Sequence, residues 1–283
     1  MLPVGVRTPA VRRSLLAPAT ALLVVLFAAL LVILAPPVAP AAAQSAPADP
    51  APPASPAASS WVVLSWNDLG MHCYNRDFQN LAVLPPFNTL WSQVIHVGDP
   101  PQIVTDTVSV TYSFPNNTYS VGKSNFWDYD LALFGVDLPP NIGLTGRGLA
   151  GNMDRAADHF IADGIPLTEF QDSAPTTAYP YQLATVIAGA ADGTELARTI
   201  TVAPVSTEMH CDYCHQDGGV EDIATGSVET NILTLHDREN AEDYPPGFGK
   251  LMDNRPVLCA ACHASNALGA PGKPDIPNLS KAM

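Results

Sequence analysis

The sequence predicts a mostly β N-terminal domain, antiparallel and sandwich-like, followed by a small, loop-rich C-terminal module with short helices. Three observations carry that expectation. Residues 61–205 are rich in β-branched and aromatic residues, broken at short intervals by Pro, Gly and Asn turns. The composition changes near residue 206, where apolar runs shorten and prolines remain frequent. The segment 206–283 then contains a Cys-x-x-Cys-His run twice.

In the first domain Trp61-Val62-Val63-Leu64-Ser65 reads as a strand, as do Thr107 to Tyr112, which alternates, and Leu131 to Phe134. Tyr181 to Ile187 and Thr199 to Val205 read as a pair joined through the turn-rich Ala191-Asp192-Gly193-Thr194. Asp154 to Ala162 fits a short helix or a strand equally well. In the C-terminal module, Thr230 to Leu235 reads as one short helix leading into His236.

The two repeated runs are Cys211-Asp212-Tyr213-Cys214-His215 and Cys259-Ala260-Ala261-Cys262-His263. This spacing is the attachment signature of c-type haem. Two intervening residues let both thiols reach the vinyl-derived carbons on one edge of a porphyrin. The histidine that follows is then placed to bind the iron from one face. Cys211, Cys214, Cys259 and Cys262 are thus read as thioether donors to two haem c groups, with His215 and His263 as proximal ligands. A zinc ribbon is the rival reading. Its knuckles usually stand about 15–20 residues apart, and Cys214 and Cys259 are much further apart. Zinc also leaves a histidine after each knuckle unexplained. So short a segment would struggle to fold alone, and two buried porphyrins would supply most of its core.

The distal ligands decide between sealed irons, suited to electron transfer, and an open iron suited to chemistry. His236 is the leading candidate because it lies in the apolar run Asn231 to Asp237, between the two motifs; which haem it serves is open, with the first favoured. Asp237 or another carboxylate could orient it. His210 precedes Cys211 and is poorly placed for its own haem, so it is a candidate for the neighbouring one. His72 is a weaker candidate, in the ligand-dense Asn67-Asp68-Leu69-Gly70-Met71-His72-Cys73. The alternatives there are a small copper site or plain packing, with Cys73 as the odd cysteine. Met209 and Met252 are minor distal candidates. His96 and His159 are read as structural.

The N-terminus agrees with an exported protein. Arg7, Arg12 and Arg13 precede an apolar run from Leu15 to Leu34, and Ala41-Ala42-Ala43 fits a cleavage site. The expectation is a signal peptide over 1–43, with an uncleaved membrane anchor as its rival. Residues 35–60 contain eight prolines and eleven alanines, so 44–60 is read as an extended tether. The formal net charge is −14, and residues 1–43 hold three of the 13 basic residues and none of the 27 acidic ones. The rest is strongly acidic, which argues against nucleic acid and anionic membranes as partners. It suits basic redox proteins.

Both haem motifs and the export signal resemble multihaem c-type cytochromes of bacterial periplasms and cell surfaces. Arg255-Pro256-Val257-Leu258-Cys259-Ala260-Ala261-Cys262-His263-Ala264-Ser265 has the look of their haem segments. The resemblance covers the C-terminal module and implies covalent haem and redox activity, but no particular pathway. The resemblance does not extend to residues 61–205. The leading expectation is an electron carrier with two bis-His haems, exchanging electrons with redox protein partners or other cytochromes. A dihaem oxidoreductase with one open haem, peroxidase-like or nitrogen-oxide reducing, is the alternative. Glu208, Asp212, Asp217 and Glu221 would be its acid/base groups. A third reading is a surface or filament assembly protein, a homo-oligomer with haems between subunits. No G-x-S-x-G, P-loop or H-E-x-x-H motif supports hydrolase chemistry.

Overall fold

Residues 60–207, 209–216 and 222–279 are described by a computed structural model. The strands are β1 Trp61–Asn67, β2 His72–Cys73, β3 Leu81–Ala82, β4 Asn88–His96, β5 Gln102–Ile103 and β6 Val108–Ser113. Helix α1, Phe126–Phe134, follows. Then come β7 Ala150–Asn152, β8 Asp154–Arg155, β9 Phe160–Ile165, β10 Phe170–Gln171, β11 Ala174–Ala178, β12 Tyr181–Ala190 and β13 Glu195–Ser206. Helix α2, Val228–Asn240, and β14, Val257–Leu258, belong to the C-terminal part. The expected signal segment 1–43 and the tether 44–60, apart from Ser60, lie outside the described residues, as do Glu208, Asp217 and Glu221. Among the described residues no helix is long and apolar enough to cross a membrane.

Two five-stranded sheets dominate. One runs β1-β4-β9-β8, with β5 also on β4; the other runs β2-β13-β12-β6-β7. Pairing within them is antiparallel except between β2 and β13. Alternation puts every second side chain inward. Ala184, Val186 and Ala188 of β12 are buried and share one cluster with Val63 of β1, Leu90 and Val94 of β4 and Phe160 of β9.

The β12–β13 pair forms as expected, with Leu183 opposite Val202 and Ile187 opposite Arg198. Its turn closes through Ala190 N–H to Thr194 O at 2.8 Å. Gly193 sits there at φ 85°, where a side chain would be strained. Asp154 to Ala162, undecided from sequence, holds β8 and the start of β9, which pair as a hairpin.

One expectation is corrected. Leu131 to Phe134 is the last turn of α1 rather than a strand. The buried positions of that helix are Phe126, Asp130 and Leu133, at helical spacing. A carboxylate in the inward stripe hides the period. Asp130 satisfies itself by accepting from the Leu131 and Leu138 N–H groups, at 2.6 and 2.9 Å. Gly135, in the left-handed region, ends the helix and returns its N–H to Leu131 O.

The chain from Ser55 to Met283 clusters as one unit, and three links tie its C-terminal part to the sheets. The end of β13 runs into Ser206, whose carbonyl accepts from Tyr74 N–H at 3.1 Å. Buried Glu169 accepts from Tyr74 OH at 2.5 Å and from the Thr207 hydroxyl at 2.6 Å. Strand β14 pairs in parallel with β3, Val257 opposite Leu81. Leu81 and Val83 share a second buried cluster with Leu233, Leu251 and Leu279.

Candidate metal centre

Both Cys-x-x-Cys-His runs fold into the same turn. Cys211–Tyr213 and Cys259–Ala261 are single 3-10 turns. The first cysteine's carbonyl accepts twice in each. Cys211 O takes the N–H of Cys214 at 3.2 Å and of His215 at 2.8 Å; Cys259 O takes those of Cys262 at 3.2 Å and His263 at 3.0 Å. In a 3-10 turn residues three apart eclipse, so the two thiols of each motif share an edge. All four are free thiols. Burial pushes the Cys259 thiol up to about 11, with Cys211 and Cys262 adding to the rise against its own backbone hydrogen bond. Burial also raises Cys211, with Glu229 and Asp212 adding charge. Thiols held protonated are poor nucleophiles. Cys211 is among the groups that raise the Cys259 thiol, which puts the two motifs near one another.

The second motif is seated by β14, which ends one residue before Cys259. Asn80 O accepts from Val257 N–H at 2.9 Å, and the Asn80 side-chain oxygen accepts from Arg255 at 3.1 Å. Beyond the motif the chain folds back over it. Lys273 N–H reaches Cys262 O and Leu279 N–H reaches Ala264 O, each at 2.8 Å. Gly272, at φ 70°, permits the approach, since a Cβ there would collide with the Ala264 backbone. The return brings Pro277 O to His263 Nδ1 at 2.8 Å. A carbonyl only accepts, so Nδ1 carries the proton and Nε2 is left as the free donor.

Helix α2 forms because Ser227 caps it, its hydroxyl accepting from Thr230 N–H at 3.3 Å. Glu229 in the first turn and Arg238 in the last suit the helix dipole. It buries Thr230, Asn231, Leu233 and Asp237. Near one end Asn231 Nδ2 donates to Gln216 O at 2.6 Å, one residue past His215. Towards the other end His236 meets His263. The helix therefore reaches from one motif to the other, with Asn231 and His236 separated by about 7.5 Å of helical rise.

The His236 and His263 rings stand 6.1 Å apart, centroid to centroid, and cross at 87°. Metal–imidazole bonds of about 2 Å would put the centroids of two trans imidazoles roughly 6 Å apart across one metal. That separation would suit His236 and His263 as two ligands of one metal. His236 Nδ1 lies 2.7 Å from Tyr244 OH, which donates to Asp237 Oδ1 at 2.9 Å. The tyrosine's one proton is committed to Asp237, so His236 Nδ1 must donate and its Nε2 too is left free. Burial holds His236 below the usual imidazole range; the facing His263 acts the same way and Asp237 opposes. Burial likewise raises the Tyr244 phenol, helped by its hydrogen bond to Asp237.

The other predicted residues lie differently. His236, favoured from sequence for the first haem, lies instead against His263 of the second motif. His210 stacks on Tyr213 of its own motif at 4.3 Å, with Nδ1 3.5 Å from Asp212. His72 is buried with Nε2 3.0 Å from Asp68. His215 Nδ1 is buried with no hydrogen-bond partner among the described residues. His96 meets Trp61 at 4.7 Å, and His159 stacks on Trp91 at 4.3 Å, both within the β1-β4-β9 sheet. Met209 and Met252 pack on the second cluster.

Among the described residues no three His, Cys, Asp or Glu side chains converge as a metal-binding group. Tyr244 and the Pro277 carbonyl were not legible as site residues in the sequence. Tyr244 comes eight residues after His236, past the end of α2, and Pro277 fourteen residues after His263, so no motif marks either of them. Comparison with protein-family models, with curated proteins and with solved structures finds no match to this chain.

Proposed function

We propose that the protein is a dihaem c-type cytochrome that passes single electrons between redox partners. Cys211 and Cys214 would hold one haem and Cys259 and Cys262 the other, with His215 and His263 as proximal ligands. His236 is assigned as distal ligand of the second haem. The observation that carries this reading is the His236–His263 pair, with both Nδ1 atoms engaged and neither Nε2 hydrogen-bonded among the described residues. When bound, haem supplies a one-electron couple. The chain's part is to seal the second iron from both faces and, through α2, to keep the two motifs close. Export to the periplasm or cell surface follows from the covalent haem reading, and the acidic chain suits basic electron donors or acceptors.

The rival, an oxidoreductase with one open haem, concerns the first motif. Its distal position has His210 and His72 as candidates, and each is engaged elsewhere, on Asp212 and Asp68. A visible spectrum of the reduced protein, before and after carbon monoxide, separates the readings. An unchanged c-type spectrum means two sealed irons and an electron carrier. A Soret shift of half the haem at neutral pH means the first iron is open and favours the enzyme.

A further inference from the structure

We propose that Tyr244 is a positioning residue for the distal ligand of the second haem, acting with Asp237 as one device that couples both sides of that haem. The inference rests on the dihaem reading and deepens it.

The geometry is a three-member relay: His236 Nδ1–H to Tyr244 Oη at 2.7 Å, then Tyr244 O–H to Asp237 Oδ1 at 2.9 Å. Asp237 is buried and does a second task. Its Oδ1 accepts from Leu251 N–H at 2.8 Å and its Oδ2 from Met252 N–H at 3.1 Å. Those residues open the 3-10 turn Leu251–Asp253, on the segment that leads through β14 into Cys259. One carboxylate thus grips the distal helix and the proximal segment together. Tyr244 itself is held by ring contact, 5.5 Å edge-on to Phe248 and 5.9 Å from His236.

This arrangement fixes the tautomer and rotation of His236 before the iron is met, so little ordering is left for ligation to cost. A carboxyl acceptor at the end of the relay would make a ligating imidazole a stronger lone-pair donor, which would favour the ferric over the ferrous state of a bound haem. The two histidines are not equivalent: His263 leans on a neutral carbonyl, His236 on a charged chain.

The test is Tyr244→Phe in the full, haem-loaded chain. The phenyl ring keeps the contacts to Phe248 and removes only the oxygen. Haem content is read first, by pyridine haemochrome. With two haems retained, carbon monoxide should displace His236 about 10–100-fold more readily, and the second haem's midpoint potential should rise. In His236→Gly, where added imidazole replaces the side chain, Tyr244→Phe should weaken imidazole binding by a similar about 10–100-fold. Two haems with unchanged potential, carbon monoxide reactivity and imidazole affinity would overturn the proposal. Loss of haem in Tyr244→Phe but not in His236→Gly would make Tyr244 a folding residue and overturn it too. A wild-type protein without covalent haem would instead remove the reading beneath it.

Discussion

The His236 and His263 imidazoles face each other at 6.1 Å with their planes crossed at 87°. They come from different elements: His236 rides on α2, and His263 is fixed by the turn after β14. On the dihaem proposal, removing either should therefore affect one haem and leave the other alone. His236→Ala should open one of two irons to carbon monoxide, with His72→Ala and His210→Ala leaving that iron sealed. The measurement is the fraction of the Soret band that shifts. A His236→Ala protein with no shift would show that its ring is not a ligand.

The Tyr74–Glu169–Thr207 contact joins β2 to the chain four residues before Cys211. Tyr74→Phe leaves a buried carboxyl oxygen without its donor, which costs about 1–3 kcal/mol. A fall in the denaturant midpoint at constant m-value checks this. An unchanged midpoint would mean the oxygen finds water instead.

Lys123, its side chain fully buried, donates to Asp172 at 2.6 Å and to Asn117 at 2.9 Å. Burial alone would raise the Asp172 carboxyl. The hydrogen bonds from Lys123 and from the Thr118 hydroxyl and N–H outweigh it, so its folded value lies below the ordinary 3.8. The unfolded chain then binds a proton more readily than the folded one. Stability from this pair is complete above the unfolded value and is lost as pH falls through the folded one. Asp172→Asn should flatten the stability–pH curve below about pH 4. At neutral pH it should cost about 3 kcal/mol by stranding Lys123. Urea titrations from pH 7 to pH 2 test both; a variant with the wild-type acid slope would contradict the assignment.

Regular alternation made the long hairpin legible: Tyr181 to Ile187 and Thr199 to Val205 pair around an Asp-Gly turn as read. Helix α1 was misread because Asp130 occupies its buried stripe, so four apolar residues at its end looked like a strand. The two Cys-x-x-Cys-His runs were legible because each is local, five residues long, and both form the same turn. The partner of His236 was not. His263 lies in another element, and only the packing of α2 against Leu251 and Leu279 brings the rings together. Tyr244 was hidden for a related reason: it lies past the end of the helix whose histidine it holds.

The most direct test of the central claim is the haem count of the purified, exported protein, by intact mass and pyridine haemochrome. The account predicts two covalently bound haems, falling to one in Cys259→Ser/Cys262→Ser and to one in Cys211→Ser/Cys214→Ser. A protein carrying no covalent haem, or zinc on its cysteines, would contradict it.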